Sequence, residues 1–151
     1  MTPEQKLSLH ALDLTQSSPR SPREMLGGLV IAARTLDKGR AFLLEQNGEY
    51  NFGGLLDMYL LDFIGLTLDQ FREQISTGAS DDEIAIWLEK QTSNKESIEI
   101  IRWNNQMRDK RLSELPDKSQ IFLEEYVPRV IPANRRVYCW FDVYDIEEGR
   151  I

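Results

Sequence analysis

The sequence predicts a mainly α-helical fold, a compact single-domain bundle of about six helices, and three observations carry that expectation. Helix-start signatures recur along the chain: Ser21-Pro22 with Glu24, Thr67 before Leu68, and Ser80 with Glu83. Apolar residues recur at spacings of three, four and seven, not two. Gly65 and Gly78 fall where two of those periodic segments end. At 151 residues the chain is expected to fold as one domain, with residues 1–17 a loose N-terminal arm.

Taken in order, Ser21 as cap, Pro22 at the first helical position and Glu24 predict a long helix from Pro22 to Gln46. Leu26–Ala33, Leu29–Leu36–Leu43 and Val30–Leu44 form seven-residue columns that share one face. Asn47-Gly48 supplies a left-handed cap, or alternatively a hairpin turn between "FLLEQ" and "EYNF". Leu55 to Ile64 reads as a largely buried helix stopped by Gly65. Thr67 caps a third helix that carries Phe71 and Ile75 and closes at Gly78. The Ser80–Glu83 box starts a fourth with Ile84, Trp87 and Leu88, and Asp81, Asp82 and Glu83 suit the positive end of its dipole without any metal. The fifth, within "NKESIEIIRWNNQMRDKRLSEL", presents Ile98, Ile101 and Leu112 and ends at Leu115-Pro116. "DKSQIFLEEYV" is a sixth, stopped before Pro128, and "PRVIPANRR" a stiff loop. The aromatic end, "VYCWFDVYDIEEGRI", fits a buried helix or a short strand, and periodicity does not separate them. A strand there has only the "LSLHALDL" arm to pair with, which favours helix or irregular structure.

Composition excludes several function classes. The net charge of −7 is spread as +2 over residues 1–40, −9 over 41–101 and zero over the remainder. Such an acidic chain gains no general affinity for nucleic acid or anionic membranes, so neither is expected as a partner. No apolar run approaches the ~20 residues that cross a bilayer, and the N-terminus lacks a secretory pattern, so the cytoplasm is the expected location. With one histidine (His10) and one cysteine (Cys139), the sequence lacks material for a zinc site, a disulfide or a histidine-based triad. No metal or cofactor is expected. Cys139, between Tyr138 and Trp140, reads as a buried structural thiol, and Trp87, Trp103 and Trp140 read as core.

The informative places are where the pattern breaks. Arg40 continues the Leu26–Ala33 column and Asp37 sits between Val30 and Leu44, so two charges project from an apolar face. Three apart on a helix, they are placed to pair with each other, as a structural ion pair or as the wall of a polar pocket. A basic cluster, Arg20, Arg23, Arg34, Lys38 and Arg40, surrounds them, and the "PRSPRE" helix start offers backbone N–H groups to an anion. Gly27-Gly28 fits neither a Walker loop nor GxGxxG. Asp57, Asp62, Asp142 and Asp145 lie among apolar residues as candidate pocket carboxylates. The candidate ligand-binding set is therefore Arg20, Arg23, Arg34, Asp37, Arg40 and Asp57, in a groove between the Pro22–Gln46 and Leu55–Ile64 helices. The function it suggests is a non-catalytic binding or regulatory module for an acidic small molecule or acidic protein segment. The alternative is an enzyme on a small anionic metabolite, with Arg40 as clamp and Asp37, Asp57 or Asp142 as acid or base. A homodimer through the apolar C-terminal segment is a further option.

Pro19-Arg20-Ser21-Pro22, Gly27-Gly28, Arg34, Asp37-Lys38, Arg40-Ala41, Gly48-Glu49-Tyr50 and Leu56-Asp57 together resemble a bacterial family catalogued as domain of unknown function fifty sixty-nine. Phe63, Gly65, Phe71, Gly78, Asp82-Glu83 and Trp87 extend the resemblance from about Leu12 to Leu88, with an echo at Trp140-Phe141-Asp142. It implies a small cytoplasmic bacterial protein and no assigned activity. It also implies a histidine and a cysteine in the segment that reads "YNFGGLLD" here, and this chain has neither.

Overall fold

The computed structural model describes residues 1–151. It is mainly α-helical, with eight α-helices, one 3-10 turn and no strand. The chain divides into two compact units, Met1–Ile100 and Ile101–Ile151.

The first unit opens with α1 (Pro3–His10), where a loose arm was expected. Thr2 and Gln5 form a capping box, and the helix buries Leu7. α1 packs against α4 (Leu68–Ser76). The contact depends on Gly78, whose φ is +81° and where a Cβ would stand 2.6 Å from the Pro3 carbonyl oxygen.

The long helix expected from Pro22 is not there. α2 runs only from Ala32 to Leu43, and residues 22–31 form turns. The Ser21 hydroxyl accepts from the Arg23 N–H at 3.1 Å and Glu24 N–H bonds the Ser21 carbonyl, so the apparent capping box is a local turn. Gly27 and Gly28 adopt φ +60° and +79°, and Leu26 and Leu29 exchange both backbone hydrogen bonds across them. That is a tight turn of primed geometry, available to a Gly pair at little cost, whereas the same pair inside a helix forfeits about 1 kcal/mol per glycine. The seven-residue columns arose instead because Leu29 to Ala41 are all buried, helical or not. Ile31, the N-cap of α2, has φ +74°, a strained conformation for a β-branched residue.

α2 ends in a Schellman arrangement: Gln46 N–H bonds Ala41 and Glu45 N–H bonds Phe42, with Glu45 at φ +57°. Asn47-Gly48 therefore caps no helix and joins no strands; it forms a separate turn closed by Tyr50 N–H to the Asn47 carbonyl. α3 (Leu55–Ile64) ends at Gly65 in the left-handed region, as the sequence indicates. α4 and α5 (Asp81–Gln91) start at the expected caps, Thr67 and Ser80; the Ser80–Glu83 box was expected, and Thr67 forms a box with Gln70 as well. Phe71 and Trp87 join them edge to face, with centroids 5.6 Å apart. α2 packs on α3 and α4.

α6 (Ser97–Asp109) carries the division between the units. It buries Trp103, Asn104 and Met107 and leaves Ile98 and Ile101 about half exposed, so the expected apolar face is corrected. Leu112 sits in the 3-10 turn Leu112–Glu114 and not on α6. In the second unit, α7 (Asp117–Val130) continues through Pro128. The proline lies in the last turn and is exposed, so little bonding is lost, while Val127 and Val130 pack beside Ile131, Val143 and Ile146. The aromatic end is α8 (Trp140–Glu147), with Cys139 half-buried at its N-cap and Asp142 accepting from the Tyr138 and Cys139 N–H groups.

Candidate functional site

α2 is buried along its length except at its C-terminal end, yet it contains Arg34, Asp37, Lys38 and Arg40. A buried charge costs several kcal/mol unless it is paired and hydrogen-bonded, so each should find a partner outside the helix. Each does. The expected Asp37–Arg40 pair does not form; both residues turn to other segments.

Asp37, 2% exposed, is held by Arg20 from the preceding loop. Arg20 Nε donates to Oδ2 and Nη2 to Oδ1, both at 3.0 Å, and the Arg20 backbone N–H adds a third bond at 2.8 Å. This side-on fork offers Asp37 more donors than a neighbour on its own helix. Arg40, 3% exposed, donates from Nη1 to Asp81 Oδ1 at 2.8 Å and from Nη2 to the Ala79 carbonyl at 2.9 Å. Its Nε is buried and has no acceptor. Arg20 reaches the same aspartate, with Nη1 at 2.8 Å from Asp81 Oδ2. Two guanidinium groups thus converge on one carboxylate, Arg40 on Oδ1 and Arg20 chiefly on Oδ2, with a longer 3.5 Å bond from Arg20 Nη2 to Oδ1.

A second cluster lies on the α3 side of the same helix. Asp57, fully buried, takes the Lys38 ammonium at 2.9 Å, the Thr35 hydroxyl at 2.5 Å and the Gly53 N–H at 2.8 Å. Arg34 donates to the Arg20 carbonyl at 3.2 Å and lies 5.6 Å from the Tyr50 ring centroid.

A cleft of about 530 Å³ is walled by Arg20, Asp37, Arg40 and Asp81, with Leu9, His10 and Leu12 from the end of α1 and Ser80 and Asp82 from the start of α5. It is not the groove expected between α2 and α3. Of the six candidate residues it gathers Arg20, Asp37 and Arg40; Arg23, Arg34 and Asp57 are not among its walls. No group of three or more His, Cys, Asp or Glu side chains is arranged to hold a metal ion.

Asp81 was legible only as a helix-start acid, and its role here was missed. The available signal was the surplus of negative charge in Asp81-Asp82-Glu83 beyond what one helix end uses. Burial alone would raise the Asp81 carboxyl, but the hydrogen bond and charge of Arg20, then those of Arg40, outweigh it and hold Asp81 below the ordinary carboxylate range. Burial likewise works to lower the Arg20 value, and Asp37 and then Asp81 carry it above normal. With its value depressed, Asp81 contributes stability above the unfolded-state value near ~4, and loses it as pH falls through the folded one. A carboxylate kept ionised in this way is a poor proton donor near neutral pH.

The comparisons agree with the resemblance seen in the sequence. A family model described as a domain of unknown function (DUF5069) matches residues 16–150. The chain belongs to that family. The match takes in every cleft residue except Leu9 and His10 of α1 and Leu12 just after it. A search of curated proteins finds none that matches. No helix is long and apolar enough to cross a membrane.

Proposed function

We infer that this DUF5069 chain is a non-catalytic binding module of the bacterial cytoplasm, and that its cleft recognises the anionic group of an acidic small molecule or acidic protein segment. One observation carries the reading: Arg20 and Arg40 both direct a guanidinium N–H, at 2.8 Å, to a single carboxylate in the cleft wall. Two planar cations held at that separation make a clamp for any two-oxygen anion. Burial of Arg40 and the three-bond grip of Asp37 on Arg20 fix both groups beforehand, which reduces the entropy lost on binding.

The enzyme alternative has less support. Asp57 is closed off beneath Lys38 and Thr35, Asp142 is engaged in capping α8, and the cleft's Asp81 is pushed toward the ionised form.

A thermal-shift panel of carboxylates, phosphates, nucleotides and divalent metals tests this reading on the wild type, Arg40→Ala and the less buried Arg20→Ala. A ligand at ~100 times its dissociation constant should add about 2.7 kcal/mol to the wild type. The expected result is a carboxylate-dependent shift that both variants lose. If no anion shifts the wild type, or both variants respond as it does, the reading fails.

A further inference from the structure

We propose that Asp81 is a built-in occupant of the Arg20–Arg40 clamp, and that the ligand is an aliphatic monocarboxylate that binds by displacing it. The proposal rests on the clamp reading above and specifies its ligand and its regulation.

Four carboxylates pair with Arg20, Lys38 and Arg40; Glu24 touches only Arg20, at 3.9 Å, and of the three held at hydrogen-bond distance Asp81 is the one built to leave. Its side chain is 43% exposed, against 3% for Asp37 and 0% for Asp57. The start of α5 does not depend on it: Ser80 Oγ accepts from the Glu83 N–H at 3.2 Å and Glu83 returns a bond to the Ser80 N–H at 3.0 Å. Releasing the Asp81 side chain leaves that box intact. The arginines also stay in place, Arg20 through Asp37 and Arg40 through the Ala79 carbonyl. An incoming carboxylate then finds Nη1 of each arginine already aimed at the place its two oxygens would take.

Charge selects the class of anion. With Asp81 turned away, Arg20 keeps Asp37 and, at 3.9 Å, the exposed Glu24, and Asp82 lines the same cleft, so a monoanion replaces just the charge that Asp81 withdraws. A phosphate dianion adds a second negative charge beside two aspartates, a like-charge contact that opposes binding. Leu9 and Leu12, 67% and 37% exposed on the same cleft, supply apolar surface for an aliphatic body next to the carboxylate.

An internal occupant lowers apparent affinity by the fraction of time the clamp is open. Calorimetric titration of the wild type, Asp81→Asn and Asp81→Ser with isovalerate, with an acetylated peptide ending in a free leucine carboxylate, and with inorganic phosphate tests the proposal. The two neutral variants are expected to bind isovalerate or the peptide about tenfold more tightly than the wild type, and phosphate weakly if at all. Which of the two carboxylates binds tighter separates a free metabolite from a peptide terminus. If the wild type binds carboxylate and neither folded variant binds it more tightly, displacement is wrong while the clamp stands. If phosphate outcompetes both carboxylates, the assigned ligand class is wrong. If nothing binds to any of the three, the clamp and its occupant fall together.

Discussion

Asp57→Ala is expected to destabilise the protein by about 3–5 kcal/mol, the largest loss anticipated for a single side chain here. The substitution takes the counter-charge from a 7%-exposed lysine and the acceptor from the Thr35 hydroxyl and Gly53 N–H in one step. Against a total of about 5–15 kcal/mol for a domain, that is a large share. The paired replacement Lys38→Met with Asp57→Leu removes both charges and keeps apolar volume, so it should recover most of the loss. Urea unfolding of the single and double variants measures both effects. A cost below about 1 kcal/mol for Asp57→Ala would mean that the pair is far better solvated than its burial indicates.

Asp37→Ala ranks second, at about 2–3 kcal/mol, because Arg20 loses three bonds but is itself 28% exposed and can turn to water. Its distinguishing consequence lies in the cleft. Without Asp37, Arg20 has no buried anchor and the clamp loses its fixed geometry, so carboxylate-induced thermal shifts should disappear along with the stability. Retention of ligand response at wild-type strength in a folded Asp37→Ala protein would show that Asp37 does not position Arg20 for binding.

The elements read correctly from the sequence are those whose signals are local and consistent. The Thr67 and Ser80 boxes each satisfy donors within four residues, and Gly65 provides a left-handed stop where the apolar period ends. The Ser21-Pro22 signature is just as local, but two glycines soon after it found a better use in a tight turn, and only the fold decides between those outcomes. The site was half legible for the same reason. That Asp37 and Arg40 break an apolar pattern is visible in one dimension, and both prove to be buried. Their partners are not visible, because Arg20 stands 17 positions from Asp37 and Asp81 stands 41 from Arg40. Sequence adjacency suggested the three-residue pairing; the fold supplied partners with better donor geometry.

Ligand recognition by the cleft requires that the carboxylate between the two arginines be exchangeable. A crystal structure of the wild-type protein with saturating isovalerate tests that most directly, through the distances from Arg20 Nη1 and Arg40 Nη1 to the nearest carboxylate oxygens. The expected result is the isovalerate carboxylate bridging both nitrogens at hydrogen-bond distance with the Asp81 side chain turned to solvent. Asp81 still bonded to both arginines, with isovalerate bound elsewhere or not at all, would contradict it.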